Sequence, residues 1–239
     1  MLFETIEHWT GIYWFINAGL VAGGILLFAG VLVRRKLAGP SGGVVPDEGV
    51  TVRNLFEVLI EWLANLSRER MGPDWRKYFP IVGTLFFFIL VSNLMGLIPG
   101  LGGATSSANT TWACAVIAWL VYTWVGISKH GLGRYLIKFM GPSFFEREMF
   151  GKHIHFRLLI PIFFPLEILL DLARMLTLAV RLLANMFADH TVIAVWLSLV
   201  PIGIPAIFMG LGLVVSFLQA FVFSLLTMIY IGLALEEPH

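Results

Sequence analysis

The chain has 239 residues, of which 58% are hydrophobic and 13% charged, and its mean hydropathy is +0.86. This mixture lies far from that of soluble globular domains and predicts an integral membrane protein. The formal net charge of +1 gives no reason to expect nucleic acid, and the single cysteine excludes an internal disulfide and a CxxC-type metal site.

The first half of the chain alternates apolar runs with polar connectors. An uncharged run over 11–33 is long enough to cross a hydrocarbon core about 30 Å thick, and it ends in a basic triplet. After a Gly/Pro-rich connector, residues 51–71 place apolar side chains at helical spacing beside charged ones, which predicts an amphipathic helix. That helix would lie on the membrane surface or cover the bundle's own loops. Uncharged runs over 78–99 and 110–128 predict the second and third spans, separated by the charge-free loop GLGGATSSAN.

The second half of the chain is apolar for almost all of its length after a basic connector. Pro201 and Pro205 divide it into two long helices, predicted over 156–198 and 205–235. The sequence therefore predicts an all-α polytopic membrane protein with a single membrane domain over residues 1–239. About five helices would cross the membrane, and the last two would form a long, strongly tilted hairpin.

Charge placement predicts the orientation, because Lys and Arg accumulate in cytoplasmic loops. All of the 16 Lys and Arg residues except Arg174 and Arg181 fall in segments that alternating crossings place on one side. The predicted topology has the N-terminus outside and the C-terminus in the cytoplasm.

The fourth predicted span carries an unusual set of polar residues. At about 100° per residue, six of them fall within a helix face roughly 80° wide. They are Glu167, Asp171, Arg174, Arg181, Asn185 and Asp189. Each ionised group at the bilayer centre costs about 2.5–3.5 kcal/mol on insertion scales, so the stripe predicts a functional site. His190 points about 100° away from it.

The residues of this stripe are not equivalent. Glu167, Asp171 and Arg174 have the spacing of an ion-pair ladder near the cytoplasmic headgroups, and this interpretation is favoured for Asp171 and Arg174. Arg181 has no acid one turn before or after it, and arginine keeps its charge in proteins, which favours a functional role. Asn185 could serve an ion path or merely hydrogen-bond a neighbouring helix.

The last predicted helix carries a second, milder stripe of small and polar residues. Its members are Gly212, Ser216, Gln219, Thr227 and Tyr230. Close helix packing is the favoured interpretation for Ser216 and Thr227. Gln219 is too large for that role, and its amide could line a wet path opposite the charged stripe.

The segment RLLANMFADH, residues 181–190, is similar to subunit a of the F-type ATP synthases, the stator subunit that carries ions past a rotating c-ring. PLE upstream and LQAFVFSLLTMIY downstream carry the same resemblance. SNLMGLIPG resembles the family's Asn-Leu-Met-x-Leu-x-Pro after the second span, and ISKHGLG resembles its short basic turn after the third. Together these segments cover most of residues 50–235.

The resemblance implies a role for several residues. Arg181 matches the family's essential arginine, Asn185 its asparagine, Glu167 the acid near the cytoplasmic path, and Gln219 the glutamine of the final helix. His190 stands where many bacterial members have glutamate, and Gly212 stands where those members have histidine, which implies one titratable site supplied from either helix. Asp189 and Tyr230 complete the predicted ion path. Asp189 replaces a small residue of the family, and Ala184 replaces a glycine.

The resemblance also implies a mechanism. Two offset half-channels would pass H⁺ to and from c-ring carboxylates, which must be neutral to face lipid. Arg181 would favour the ionised form of an arriving carboxylate and block a direct leak. The choice between H⁺ and Na⁺ rests on groups of another chain.

The implied partners are the c-ring of proteolipid subunits, the peripheral-stalk subunit b, the soluble ATPase sector through the stalk, and membrane lipid. The implied location is the bacterial plasma (inner) membrane. No nucleic acid, cofactor, metal or ATP chemistry is expected on this chain.

Two other classes of protein compete with this interpretation. A stand-alone secondary transporter or channel would use the stripe as its own substrate site, but such folds often show inverted repeats and broken helices, which this sequence lacks. A membrane-embedded enzyme would carry a catalytic motif such as HExxH or GxSxG, and no such motif occurs in the spans. Purification separates the classes, since subunit a should travel with an oligomeric ring and a soluble ATPase.

Overall fold

The computed structural model describes residues 11–37, 51–138, 146–149, 152–155, 160–200 and 203–236, together with positions 3, 5, 7 and 8. Its long helices are α1 Trp14–Leu37, α2 Val52–Met71, α3 Trp75–Leu97, α4 Ala108–Lys138, α5 Ile160–Leu199 and α6 Ile204–Leu235. Short 3-10 turns occupy Gly72–Asp74 and Ala104–Ser106. The predicted all-α fold class is confirmed. A small antiparallel hairpin, β1 Glu146–Met149 with β2 Lys152–His155, lies in the basic connector and was not predicted.

Several helices have the length and composition of membrane spans. Within the described ranges, the apolar segments long enough to cross are Trp14–Arg35, Arg53–Leu97, Ala108–Gly131 and Ile204–Leu235. The second of these joins α2 to α3 across the Gly72–Asp74 turn. The multi-pass architecture is thereby confirmed, whereas the predicted five crossings and their orientation stay predictions.

Each predicted helical segment corresponds to one of the helices α1 to α6. The predicted 51–71 segment corresponds to α2, and the predicted hairpin of 156–198 and 205–235 corresponds to α5 and α6. At 1.5 Å per residue, the 40 residues of α5 extend about 60 Å, twice the thickness of a hydrocarbon core. The Gly/Pro-rich connector, residues 156–159 and Pro201 lie outside the described residues.

Helix α2 packs on the bundle by only part of its apolar surface. Leu63 is fully buried, and the ring of Trp62 lies 5.0 Å from that of Phe221 on α6. Leu55 and Val58 remain 55% and 63% exposed, as lipid-facing side chains would be. The predicted position of this helix at the membrane surface stays a prediction.

One charged residue of α2 lies in an unexpected place. Arg53 was expected beside the apolar stripe with the other charged residues, yet it is 4% exposed. Its Nε donates to Oε1 of Glu57 at 2.7 Å, one turn later, so the charge is paired where it is buried.

The core of the bundle lies where α3 meets α6, with α4 and α5 packed around them. Its largest fully buried side chains include Phe86 and Ile89 of α3, Leu182 of α5 and Phe223 of α6. Helix α1 is attached more loosely, through the buried small residues Ala18 and Ala22, while larger apolar side chains such as Leu27 and Phe28 are exposed. This arrangement leaves the lipid-facing surface apolar, as a membrane protein requires.

The loop between α3 and α4 folds back onto the end of α3. A Cβ added at Gly103 would collide with the backbone oxygen of Ser92 and lie 2.9 Å from the Cα of Gly96. Only glycine permits this close approach of two backbone segments. The fold-back brings the hydroxyl-bearing 3-10 turn that follows Gly103 into the bundle.

Helix α4 ends its regular course at Gly131. This residue has φ 77° and ψ 155°, in the positive-φ region that favours glycine. Just before the kink, Nε2 of His130 lies 3.1 Å from the carbonyl oxygen of Ala234, joining the end of α4 to the end of α6.

Candidate functional site

The polar stripe predicted on the fourth span lies on α5, and its surroundings change along the helix. Asp171 is buried, Arg181 is exposed, and Glu167, Asn185 and Asp189 are half-buried. Because the six residues share a helix face, the change reflects which neighbouring helix covers each level of α5. The stripe therefore divides into three regions.

The middle region contains Arg181, an exposed cation. Among the described residues, no side chain forms a hydrogen bond or ion pair with it. The nearby positions on the same face are the small residues Thr177, Ala184 and Ala188, all exposed. Small side chains let another helix approach closely. The chain therefore presents a fixed positive charge on a surface shaped for a close partner.

Next to Arg181, α5 and α6 are joined by two amides. Nδ2 of Asn185 donates to Oε1 of Gln219 at 2.7 Å, and Gln219 is 4% exposed. The Nε2 of Gln219 is buried without a hydrogen-bond partner within the described part of the chain. A buried donor without a partner is costly, so it marks a place where a water or an ion-bearing group would be stabilised.

The second region lies at the end of α5 that faces the α3–α4 loop. Nε2 of His190 is 3.5 Å from Oγ of Ser106, on the turn that the fold-back inserts. Gly212 of α6 faces Asp189 instead, since a Cβ added there would lie 3.8 Å from Oδ2 of that carboxylate. The structure therefore brings His190, Asp189 and Gly212 to one level of the α5–α6 pair, where Leu97 of α3 lies nearest to Gly212 and Asp189 follows.

Polar residues of α3 and its following turn extend this region, and the sequence analysis did not select them. Asn93 is fully buried, its Oδ1 accepts from Oγ1 of Thr105 at 2.8 Å, and its Nδ2 donates to the carbonyl oxygen of Ser216 at 3.4 Å. Ser216 lies one turn from Gln219. Neutral polar groups thus run from the Ser106 level to the Asn185–Gln219 pair.

The third region surrounds Asp171, at the other end of the stripe. Its Oδ2 accepts from Nε1 of Trp119 at 2.8 Å, and its Oδ1 accepts from the hydroxyl of Tyr122 at 2.9 Å. Arg174 approaches more loosely, with Nη1 at 3.6 Å from Oδ1. An open cavity of about 320 Å³, lined mostly by apolar groups, lies beside this acid.

The predicted ladder of Glu167, Asp171 and Arg174 is therefore only partly formed. Asp171 and Arg174 pair, but Glu167 has no ionic or hydrogen-bonding partner among the described residues. Arg174 also lies over the ring of Tyr230, with its Cζ 5.6 Å from the ring centroid. Glu167 is half-buried.

The α6 stripe is mainly a packing surface, as predicted for Ser216 and Thr227. Both are buried, and Oγ1 of Thr227 donates to the carbonyl oxygen of Phe223 in its own helix. No cluster of His, Cys, Asp and Glu able to hold a metal ion occurs in the part of the chain that the structure describes.

The three regions together place polar side chains at both ends of α5 and an exposed cation between them. Groups that can exchange or solvate protons lie around His190 at one end and around Glu167 at the other. The two ends are about 35 Å apart along α5. Arg181 lies between them on the exposed face.

Comparison with known proteins places this arrangement in context. Residues 16–232 match the family described as ATP synthase A chain. The chain is 39% identical to ATP synthase subunit a 1 of Syntrophotalea carbinolica over 238 residues, covering 99% of this chain and 91% of that protein. It is 38% identical to ATP synthase subunit a of Bdellovibrio bacteriovorus over 210 residues, covering 88% and 86%. Over 188 residues it is 44% identical to ATP synthase subunit a of Geobacter sulfurreducens, covering 79% and 76%.

Proposed function

The chain belongs to the ATP synthase A chain family, and from that premise we propose that it forms two offset aqueous half-channels serving a rotating ring of carboxylate-bearing subunits. The family matches confirm the resemblance to subunit a that residues 181–190 indicated. The family is a membrane subunit of the synthase and does not carry its ATP chemistry.

The observation that carries the proposal is the position of Arg181. It is exposed on α5, unpaired among the described residues, and bordered by small side chains that admit a close neighbour. A fixed cation there favours the ionised form of a carboxylate that arrives opposite it. The same charge opposes the passage of a free proton between the His190 region and the Glu167 end of the stripe.

The outer half-channel is proposed to run through the His190 region. Ser106, His190 and Asp189 would form its entrance, and the buried polar groups of Asn93 and Gln219 would lead inward. Imidazole exchanges protons near neutral pH, and the unpartnered amide of Gln219 offers a place for water close to the ring. A proton entering here would reach a ring carboxylate beside Asn185.

The inner half-channel is proposed to open at the Glu167 end of α5. Glu167 is half-buried and without an ionic partner in the described ranges, so its carboxylate would raise the local concentration of cations leaving the ring. Tyr230 lies at the same end on α6.

Each elementary charge that crosses 100 mV gains about 2.3 kcal/mol, so synthesis of ATP must combine several crossings.

The proposed partners follow from this geometry and from the family. The ring of proteolipid subunits would contact the Arg181 face, and the peripheral-stalk subunit b and the soluble ATPase sector would complete the complex. The proposed orientation in the bacterial plasma membrane keeps the N-terminus outside and the C-terminus in the cytoplasm. The proposed ion is H⁺.

The rival interpretation, a stand-alone transporter or channel, fits the geometry less well. A transporter holds its substrate between its own helices near the bilayer midplane. Arg181 instead points to the outside of the described bundle, where a second molecule is needed to complete a site. The exposed position therefore favours a partner that moves past this face.

A cross-linking experiment tests the proposed contact with the ring. Thr177→Cys and Ala184→Cys, each introduced singly into the complete synthase, should form disulfides with a cysteine placed beside the ring carboxylate. Both positions flank Arg181 on its exposed face. Ala179→Cys, which is buried on the opposite side of the same helix turn, is the matched control and should form none. Equal yields from the three positions, or yields only from Ala179, would contradict the contact.

Replacement of Glu167 tests the proposed exit. Glu167→Gln removes the charge at almost constant volume and should slow ATP synthesis in sealed vesicles by about threefold to tenfold, as expected for loss of one partly screened charge. Glu167→Asp keeps the charge and should stay close to wild type. Equal synthesis rates for wild type and Glu167→Gln would return this residue to a headgroup role.

A further inference from the structure

Asp171 is a buried carboxylate that the proposed ion path does not use. Its two oxygens accept hydrogen bonds from Trp119 and Tyr122 of α4 at 2.8 and 2.9 Å. Nη1 of Arg174 approaches Oδ1 at 3.6 Å, and Asp171 is only 9% exposed. The carboxylate thus joins α4 to α5 and carries a negative charge beside an arginine of its own helix.

Helix packing alone does not account for an ionised pair at this place. Asp171 is buried and Arg174 is half-buried, and taking a carboxylate out of water carries a desolvation cost that an apolar residue of similar size would not have. The neighbouring α4–α5 contacts around Met175 and Leu178 are already apolar. The charge of Asp171 therefore points to an electrostatic role.

Arg174 is the charge that Asp171 faces. It lies on the same face of α5 as Arg181, about 10.5 Å along the helix axis towards the Glu167 end. Its guanidinium carbon is 5.6 Å from the ring centroid of Tyr230, and that ring lies 5.6 Å from the ring of Tyr122. The guanidinium is thus held between the carboxylate of Asp171 and the aromatic face of Tyr230.

We propose that Asp171 is a positioning residue for ion transfer, which neutralises Arg174 and holds it against Tyr230 so that Arg181 acts on the ring without a second free cation beside it. This inference rests on the proposed function. Arg174 lies about 10.5 Å along α5 from Arg181. At that separation and an effective dielectric constant of about 20, a unit charge changes the ionisation equilibrium of a carboxylate opposite Arg181 roughly tenfold. An uncompensated Arg174 would therefore keep a ring carboxylate ionised beyond Arg181 and repel protons moving past Glu167.

A set of four synthases that differ only in the charges at positions 171 and 174 tests this role. Wild type, Asp171→Asn, Arg174→Gln and the double variant Asp171→Asn/Arg174→Gln are compared as complete complexes in sealed vesicles. ATP synthesis is driven by the same imposed proton gradient and membrane potential. Asp171→Asn should lower the rate about tenfold, because it leaves Arg174 uncompensated. The double variant leaves no excess charge at this place and should stay within about threefold of wild type. Arg174→Gln leaves Asp171 without its cation and is the control for an excess charge of the opposite sign.

The double variant is the decisive measurement. A double variant as slow as Asp171→Asn would overturn the inference, since Asp171 would then act through its hydrogen bonds to Trp119 and Tyr122. Wild-type rates for Asp171→Asn would overturn it as well. If Asp171→Asn fails to assemble, the inference requires that the double variant assemble, and failure of both contradicts it.

A parallel measurement separates this inference from the proposed function. Arg181→Ala is assayed in the same vesicles. Synthesis by Arg181→Ala would remove the proposed function whatever the Asp171 variants do. Loss of synthesis by Arg181→Ala, together with no recovery in the double variant, would remove only the positioning role of Asp171.

Discussion

Replacing Arg181 with alanine is expected to abolish ATP synthesis driven by an ion gradient while leaving the complex assembled. A unit charge about 5 Å from a carboxylate, at an effective dielectric constant of about 20, shifts its ionisation more than roughly hundredfold. Without that charge the ring carboxylate would not release its proton beside α5. Because Arg181 is exposed and unpaired within the described part of the chain, its removal leaves no buried acid without a partner. The measurement is synthesis in sealed vesicles, with the amount of intact complex determined in parallel.

Two further readouts make the test of Arg181 specific. Passive proton permeability of vesicles that contain the Arg181→Ala complex should rise, because the electrostatic barrier between the half-channels is gone. Arg181→Lys retains a charge but loses the fixed guanidinium fork, so it should keep the vesicles tight while synthesis remains impaired. Synthesis by Arg181→Ala at a rate near that of wild type would show that this cation is not the element that transfers the ion.

Arg181 could be singled out from the sequence because its signal is local. A charge in a long apolar run, with no acid one turn away, is visible in the order of residues alone and is costly in a membrane. The helices could be predicted for a similar reason, since apolar runs of sufficient length have few alternatives in a bilayer. Glycine and proline mark the ends of these runs in the sequence. The third apolar segment ends near Gly131, and Pro201 and Pro205 separate the segments that form α5 and α6.

The residues that the sequence analysis missed depend on contacts between distant segments. Asn93 belongs to the SNLMGLIPG segment and Thr105 is an ordinary polar residue, but no pattern in the sequence indicates that they meet. They do so because Gly103 lets the loop fold back against α3. The partners of Asp171 could not be predicted either. Helical spacing indicated Arg174, but the two shorter hydrogen bonds come from α4, and no periodicity within α5 predicts which neighbouring helix covers it.

The β1–β2 hairpin illustrates another limit of pattern analysis. The sequence indicates only a basic connector at this place. In the structure Glu146 pairs with His155 and Met149 with Lys152 in an antiparallel register. A hairpin outside the apolar spans needs only backbone pairing and a short turn, so hydropathy carries little information about it.

Replacing His190 with alanine is expected to reduce proton-driven synthesis by about two orders of magnitude, since a positioned proton-transfer group typically contributes about 10²–10⁴-fold. The loss should affect entry of protons from outside, because Nε2 of His190 lies at the Ser106 end of the polar region. Ser106→Ala removes the facing hydroxyl and keeps the imidazole, so it should have a much smaller effect. Full activity of His190→Ala would take this residue out of the ion path.

A second substitution on α6 should partly restore His190→Ala, and it tests whether positions 190 and 212 serve one pocket. A Cβ at Gly212 would lie 3.8 Å from Oδ2 of Asp189 and 2.5 Å from Cδ1 of Leu97, which is the end of a flexible side chain and can move. Gly212→Glu would return a titratable group at the level of His190, beside an existing carboxylate that favours its protonated form. Gly212→Gln has the same size without the titration and should restore nothing. Equal recovery with glutamate and glutamine would mean that the substitution acts by filling space, and no recovery with either would show that His190 works alone.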